Sequence, residues 1–273
     1  MRINSFSIVV PTYNKKEKLA RFLSAVMCQD YPKDKFEVII SDDGSTDGTS
    51  QVAKAAAINF KHFTYLKNKH QGTIKSLNAG MKKAKNDFVI DMGDDQMPDP
   101  NFLNECNHWI NKNPEYSAFT AYQIPTEEQA RDNLFASYEY NMVRYYLAHK
   151  GLGDPPIISK KALQDIAYLD GAAGYAEDTV MFDRLRNKNY EVMQIPVKVA
   201  HMQDYSLRGF IKTARYRGKA GRFLRGRPYF LVKLAASPLM FFVYLYRLRA
   251  VNMALMHTAF NAVLSIYAIT GVD

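Results

Sequence analysis

Short apolar runs alternate with longer amphipathic stretches through the first 120 residues. The runs at 5–11 (SFSIVVP), 36–41 (FEVIIS), 62–67 (HFTYLK), 87–92 (DFVIDM) and 116–121 (YSAFTA) read as strands. Between them, 16–28, 48–57, 73–84 and 101–111 read as helices. Such alternation predicts an α/β domain on a mainly parallel sheet. In IVV and VII the apolar residues are consecutive, as a strand requires when helices cover both faces of its sheet. Polar, acid-rich motifs follow three of the runs: PTYN, SDDGSTDGT and MGDDQMPDP. Open α/β sheets bind ligands beyond the carboxyl ends of their strands, so three motifs at three strand ends imply one shared site.

The pattern then loosens. A helix is expected near 127–148, a loop around GLGDPP, an acid-opened helix in GYAEDTVMFDRLRNKNYEV, and a strand near 190–195. After His201 the composition changes sharply. Ser206 to Arg249 holds eleven basic residues and no acid; removing them from the chain's 36 leaves 25 basic against 27 acidic, a net of −2. The overall charge of +9 is therefore a slightly acidic body carrying a strongly basic tail, which seeks an anionic surface. Residues 234–246 are almost wholly apolar, and 250–272 carry no charged side chain at neutral pH unless His257 is protonated. At 273 residues the chain accommodates a domain of 1–205 and an appendage of 206–273. Cys28 and Cys106 show neither a disulfide framework nor zinc spacing and read as free thiols of a reducing compartment. The first apolar run ends in Pro11 and is expected to be a strand, not a signal peptide.

The loop SDDGSTDGTS admits several chemistries. A calcium loop counted from Asp43 would need a bidentate Glu at its twelfth position, where Lys54 stands. A nucleophilic aspartate two residues before an Asp-Gly pair is also missing, because Ser41 and Ser45 occupy those places. Asp47 as cap of the following helix is the plain structural reading. It does not account for Asp42 and Asp43 together.

The segment SIVVPTYNKKEKLARFLSAVMCQDYPKDKFEVIISDDGSTDGT resembles the opening of family 2 glycosyltransferases, inverting enzymes of the GT-A fold. The resemblance continues through GTIKSLNAGMKKAKNDFVIDMGDDQMPDPNFL and GYAEDTVMFDRLRNKNYEV, about 200 residues with three motifs in order. It implies a GT-A nucleotide-diphospho-sugar transferase fold for 1–205, with helices on both faces of a Rossmann-like sheet. By the same resemblance Asp43 accepts the imide N–H of the nucleobase while Asp42 orders the turn. Tyr13 stacks on the base beside the Pro11 backbone, although Tyr13 as core filler is the competing reading.

The resemblance makes MGDDQMP the metal motif. A divalent ion, Mn2+ or Mg2+, would neutralise the departing diphosphate as a Lewis acid. Many relatives read Asp-x-Asp-Asp here; this chain has Met92-Gly93-Asp94-Asp95, with Asp91 one place early. Metal binding falls to Asp95, and nucleotide or metal contact to Asp94. In AEDTVMFDRL the resemblance makes Asp178 the base that takes the acceptor's proton, with Glu177 binding acceptor or ordering the loop. Helix capping explains two acids at a helix start equally simply. Lys75 and Asn78 sit where the family often keeps an Arg-Asn pair near the diphosphate, with Leu77 at the Arg position. His201 is either a metal neighbour or a packing histidine.

The implied partners are a nucleotide-sugar donor, a glycan or lipid-linked acceptor, and an anionic membrane surface. Phe210, Tyr216, Phe223, Leu224, Tyr229 and Phe230 interleave with Arg and Lys, which fits an interfacial helix better than a nucleic-acid site. His257, Asn261 and Ser265 share one face at four-residue spacing, suiting an interfacial or packed helix more than a span. The expected place is therefore the cytoplasmic membrane face, peripheral or monotopic, with packing in a homo-oligomer as another outcome. Two rival functions remain: a noncatalytic nucleotide-binding membrane module, and a nucleotidyltransferase, whose glycine-rich phosphate loop VVPTYNKKEK lacks.

Overall fold

Eight strands form one mixed sheet in the order β3-β2-β1-β4-β7-β6-β8-β5. They are β1 (Phe6–Thr12), β2 (Phe36–Asp42), β3 (Phe63–Lys67), β4 (Phe88–Asp91), β5 (Gln96–Pro98), β6 (Ala118–Ile124), β7 (Pro156–Ser159) and β8 (Val192–His201). The helices are α1 (Lys16–Met27), α2 (Thr49–Ala56), α3 (Thr73–Lys83), α4 (Phe102–Lys112), α5 (Glu127–Asp132), α6 (Leu134–Ala148), α7 (Lys160–Asp165), α8 (Glu177–Asn187), α9 (Leu207–Ala235), α10 (Ser237–Leu248) and α11 (Val251–Thr270). This computed structural model describes residues 2–148, 153–170, 177–248 and 251–270. Gly151 and Leu152 of the expected GLGDPP loop, and Gly174–Ala176 of the acid-opened motif, lie outside the described residues.

The consecutive apolar residues of the inner strands serve two different cores. Ile8 and Val10 of β1 and Val38 and Ile40 of β2 pack with Leu19, Phe22 and Leu23 of α1 and with Phe102 and Leu103 of α4. Val9 and Ile39, between them in sequence, pack on the opposite side with Leu77 and Met81 of α3 and with Met181 and Phe182 of α8. Side chains alternate across a sheet, so a strand covered on both faces needs apolar residues at every position.

Strands β3, β2, β1 and β4 are mutually parallel. Two antiparallel strands were not foreseen. β7 pairs between β4 and β6, and β5 pairs with β8 through Gln96 and His201. β5 has three residues, one of them Pro98, and lies within a polar motif, so no alternation announces it. The helix expected at 127–148 divides at Asn133. Thr126 and Gln129 form a reciprocal capping box for α5, and Asn133 Oδ1 accepts from the N–H groups of Phe135 and Ala136 to start α6.

Two compact units emerge: Met1–Ile124 with Tyr146–Ala172 and Glu177–Met202, and Pro125–Tyr145 with Ala173–Ala176 and Gln203–Asp273. The last break between them follows Met202. Residues 125–145, expected with the first domain, group instead with the C-terminal helices, because α6 supplies Tyr138 and Met142 to their apolar cluster with Ala214, Phe230, Met253 and Phe260.

Within that second unit, α9 and α11 approach closely at Gly218, where an added Cβ would lie 2.5 Å from the Leu264 carbonyl oxygen. The polar stripe of α11 faces inward: His257, Asn261 and Ser265 are buried. Large apolar residues face out, with Leu239 70% and Phe242 65% exposed. α11 is also, among the described residues, the one helix long and apolar enough to cross a membrane by length and composition.

His257 Nδ1 lies 2.7 Å from the Tyr138 hydroxyl. Burial, aided by the Lys233 charge, lowers its pKa from 6.5 to about 4. The folded value is depressed, so the unfolded chain takes the proton first. The stability this neutral histidine contributes is complete above pH 6.5 and is lost as pH falls toward 4, by roughly 3 kcal/mol in all. Thermal melts of wild type and His257→Leu across that window are expected to diverge, the variant losing the extra acid sensitivity. Parallel pH profiles would contradict it.

Candidate active site

β1 is flanked by β2 and β4, and the carboxyl ends of all three point the same way. Chain connections leave β1 on one side to β2 and later reach β4 on the other, which opens a crevice at this switch point. PTYN, SDDGS and MGDD all leave their strands here.

Thr12 links them. Its carbonyl accepts from the N–H of Asp43 at 2.9 Å, and its hydroxyl donates to Asp94 Oδ2 at 2.8 Å. Asn14 follows with φ 51, a left-handed conformation that asparagine tolerates, and its side-chain oxygen accepts from the N–H of Thr46. Pro11 is half-buried in β1, opposite Ser41 of β2.

The SDDGSTDGT loop divides its acids by task. Asp42 is fully buried: one carboxylate oxygen accepts from the N–H and hydroxyl of Ser45, the other from the Tyr65 hydroxyl. Burial and the Asp42 charge push the Tyr65 pKa far up, so this is a structural knot. Asp47 caps two helix starts, accepting from the N–H of Thr49 in α2 and the N–H of Lys16 in α1. Those hydrogen bonds outweigh its slight burial and hold the carboxyl below its usual pKa. Gly48, at φ 98, is formally the residue before α2.

Asp43, buried, faces the chain after β3. Its oxygens accept from the N–H groups of Gln71 and Gly72, both at 2.9 Å. His70 Nδ1 stands 2.8 Å from Asp43 Oδ2. The His70 ring also stacks on Tyr13, with centroids 4.2 Å apart and planes at 20°. Gly72 turns its N–H toward Asp43 from φ 94, a conformation that L side chains rarely adopt. Tyr13 is exposed and is not core filler.

The two acids after β4 differ. Asp94 has a side chain 1% exposed, held by Thr12 and by Lys15 Nζ at 2.9 Å. Burial raises its pKa despite Lys15. The Asp95 side chain is 25% exposed, with Lys18 Nζ at 3.1 Å. Burial opposes its charge, but His201, Lys15 and Lys18 together hold its carboxyl below the usual range. Lys15, for its part, keeps its proton more tightly than a free lysine: burial works against that, and Asp94 and Asp95 outweigh it. His201 closes β8 opposite Gln96, and the N–H of Met202 donates to the Asp95 carbonyl. Gln96 returns its side-chain oxygen to the N–H of Gly93, closing the acidic turn.

Among the described residues no three or more His, Cys, Asp and Glu side chains converge as a metal cage. The donor set fits an ion held by one or two carboxylates that completes its shell from phosphate oxygens and water, the habit of Mg2+ and similar hard cations. Met92 is buried in the core.

The hydrogen bonds of the other predicted residues run to different partners. Lys75 is exposed on α3 with its Nζ 3.2 Å from Gln71 Oε1. Asn78 holds the chain before α8, donating to Asp170 and accepting from the N–H of Leu169. Asp178, exposed in the first turn of α8, accepts from the N–H of Thr179 at 2.7 Å. Glu177 begins α8, and its side chain lies outside the described residues. The sequence reading missed Thr12, Lys15, Lys18 and His70. In the sequence the lysines stand in NKKEK, which reads as an ordinary cationic helix start.

A family model described as glycosyl transferase family 2 matches residues 7–166. A Methanococcus voltae protein named dolichyl N-acetyl-alpha-D-glucosaminyl phosphate 3-beta-D-2,3-diacetamido-2,3-dideoxy-beta-D-glucuronosyltransferase is 34% identical over 103 residues. That match covers 37% of this chain and 32% of the relative, so the chain spans about a third of its length. The structure is similar to a mannosyltransferase from Pyrobaculum calidifontis solved with GDP-Man and Mn2+, with TM-score 0.68 and 17% identity over 99% of this chain and 88% of that one. It is also similar to residues 1–349 of Staphylococcus aureus TarS solved with UDP-GlcNAc, with TM-score 0.56 and 18% identity over 98% and 90% of the two chains.

Proposed function

The chain belongs to glycosyl transferase family 2 and has the GT-A fold, and from that premise we propose that it moves one sugar, with inversion, from a nucleotide-diphosphate donor to a hydroxyl acceptor. The observation that carries this reading is the knot at Thr12, which joins the Asp43 loop to the Asp94–Asp95 turn at the carboxyl ends of three strands. Nucleotide and diphosphate groups fit those two halves in that order.

Tyr13 offers a ring face to the base, and Asp43 accepts from its imide N–H. Both now engage His70, so the imidazole marks where a planar donor of an N–H can sit. Asp95 would hold the divalent ion, with Asp94 behind it and His201 alongside. When bound, that ion supplies charge neutralisation for the departing diphosphate. Lys15 and Lys18 keep the two carboxylates in place and add positive charge where phosphate oxygens arrive. Lys75 extends the same field from α3. Asp178 takes the acceptor's proton as oxygen attacks the anomeric carbon, and Glu177 orients the acceptor.

We place the acceptor among lipid-linked glycans and the enzyme on the cytoplasmic membrane face, attached peripherally or monotopically through α9–α11. The outward apolar residues of these helices and their lack of acid support this. The Methanococcus voltae relative carries dolichyl phosphate in its name.

Base reading is tested by titrating UDP and GDP, with Mn2+ present, into wild type, Tyr13→Ala and Asp43→Asn. Loss of stacking is expected to weaken binding by about 1–3 kcal/mol, roughly five- to 150-fold. Asp43→Asn is expected to cost a similar factor, because its amide N–H groups repel the imide. Unchanged affinity in both variants would remove these residues from the donor site. Nucleoside diphosphate release that needs both acceptor and metal separates the transferase from a noncatalytic module.

A further inference from the structure

In the second unit, α9, α10 and α11 enclose a groove of about 350 Å3, the size of a small-ligand pocket. Val232 and Met240 form its apolar wall, and Lys233, Tyr229 and Asn261 its polar side. Ser237 lines it too, but its hydroxyl donates to the Lys233 carbonyl, so the positive charge of the groove comes from the Lys233 ammonium. Lys233 lies close enough to the buried interior to act on His257. Its carrier helices contain ten basic residues and not one acid.

The surroundings of the groove are inverted relative to a protein in water. Val232, on its rim, is 70% exposed, and Leu239 and Phe242 continue an outward apolar surface along α10. The groove thus sets one lysine ammonium in a mainly apolar lining, with an apolar exterior; the Thr258 hydroxyl and the Asn261 amide that also line it donate to the carbonyls of Ala254 and His257. That is the complement of a lipid whose anionic headgroup leads and whose chains remain outside.

We propose that this groove binds the phosphorylated headgroup of one anionic glycerophospholipid drawn from the membrane. The phosphate meets Lys233, with the second N–H of the Asn261 amide beside it, the first being given to the His257 carbonyl, and the acyl chains lie over Val232, Leu239 and Phe242. The inference rests on the membrane-attachment reading above and adds a stoichiometric site to it. The bound lipid is distinct from the sugar acceptor and undergoes no reaction.

The test uses the full chain. Short-chain dihexanoyl phosphatidylglycerol, kept below its micelle concentration, is titrated by calorimetry into wild type, Lys233→Gln and Ala236→Leu. Ala236→Leu narrows the groove without altering charge, and circular dichroism melts check that both variants fold. Saturable one-to-one binding is expected, about tenfold or more weaker in each variant and for the phosphatidylcholine analogue. Equal binding of phosphatidylcholine, equal binding of inorganic phosphate, or undiminished binding by folded Ala236→Leu would each overturn the site. Vesicles of phosphatidylcholine with and without phosphatidylglycerol supply the separate arm. Sedimentation with anionic vesicles but no saturable short-chain lipid binding sinks the groove alone. Failure to sediment with any vesicle sinks the attachment reading beneath it.

Discussion

Asp178→Asn is expected to lower kcat by roughly a thousandfold or more, the upper range for losing a general base, while the Kd for nucleoside diphosphate stays unchanged. The substitution suits the question because Asp178 has two candidate roles. Its carboxylate accepts from the N–H of Thr179 in the first turn of α8, a structural task that an asparagine oxygen also performs. Asparagine cannot take the acceptor's proton. A variant that melts like wild type, binds nucleotide like wild type and does not turn over isolates the chemical role. Turnover near the wild-type rate would leave Asp178 as a helix-start residue and move the base elsewhere. Asp178→Ala adds a useful contrast, since it also removes the helix-start acceptor, at about 1 kcal/mol.

Asp95→Ala is expected to abolish the metal-dependent part of nucleotide binding, so that affinity with Mn2+ falls to the wild-type affinity in EDTA. The argument separates two adjacent acids. Asp94 is buried and already engaged by Thr12 and Lys15, whereas Asp95 is partly open and kept charged by His201, Lys15 and Lys18. Asp95 is therefore the more accessible of the two to a cation. Lys18 competes for the same oxygen, so Lys18→Met is expected to tighten Mn2+ binding, measured by electron paramagnetic resonance, in the opposite direction to Asp95→Ala. Asp95→Ala with unchanged affinity, with and without EDTA, would contradict the assignment. Asp94→Ala is expected to destabilise instead, leaving the buried Thr12 hydroxyl without its acceptor, at about 1–3 kcal/mol.

Much of the first unit was legible because its strands and helices follow hydrophobic periods closely. β1 to β4 and α1 to α4 fall within a few residues of where apolar runs and amphipathic stretches put them. β5 and β7 were not legible: three and four residues offer too short a period, and both lie among prolines and polar turns. The candidate site was legible as acids at strand ends. Its cations were not, since lysines at an exposed helix start look like ordinary solvated surface. Lys15 and Lys18 acquire meaning only once α1 folds back over the β4 turn. His70 had no sequence signal, because nothing local says that its ring will lie on Tyr13, 57 positions earlier.

The helical unit carries a lesson for anyone labelling this protein. On α11, the residues a sequence-guided choice would treat as safe surface positions, Asn261 and Ser265, are the ones enclosed. Those that look like core, such as Leu255 and Ile266, point away from the protein. Spin labels or fluorophores at Leu255 and Ile266 would therefore report on the surrounding medium without disturbing the buried cluster, and their polarity readout tells water from lipid at each turn.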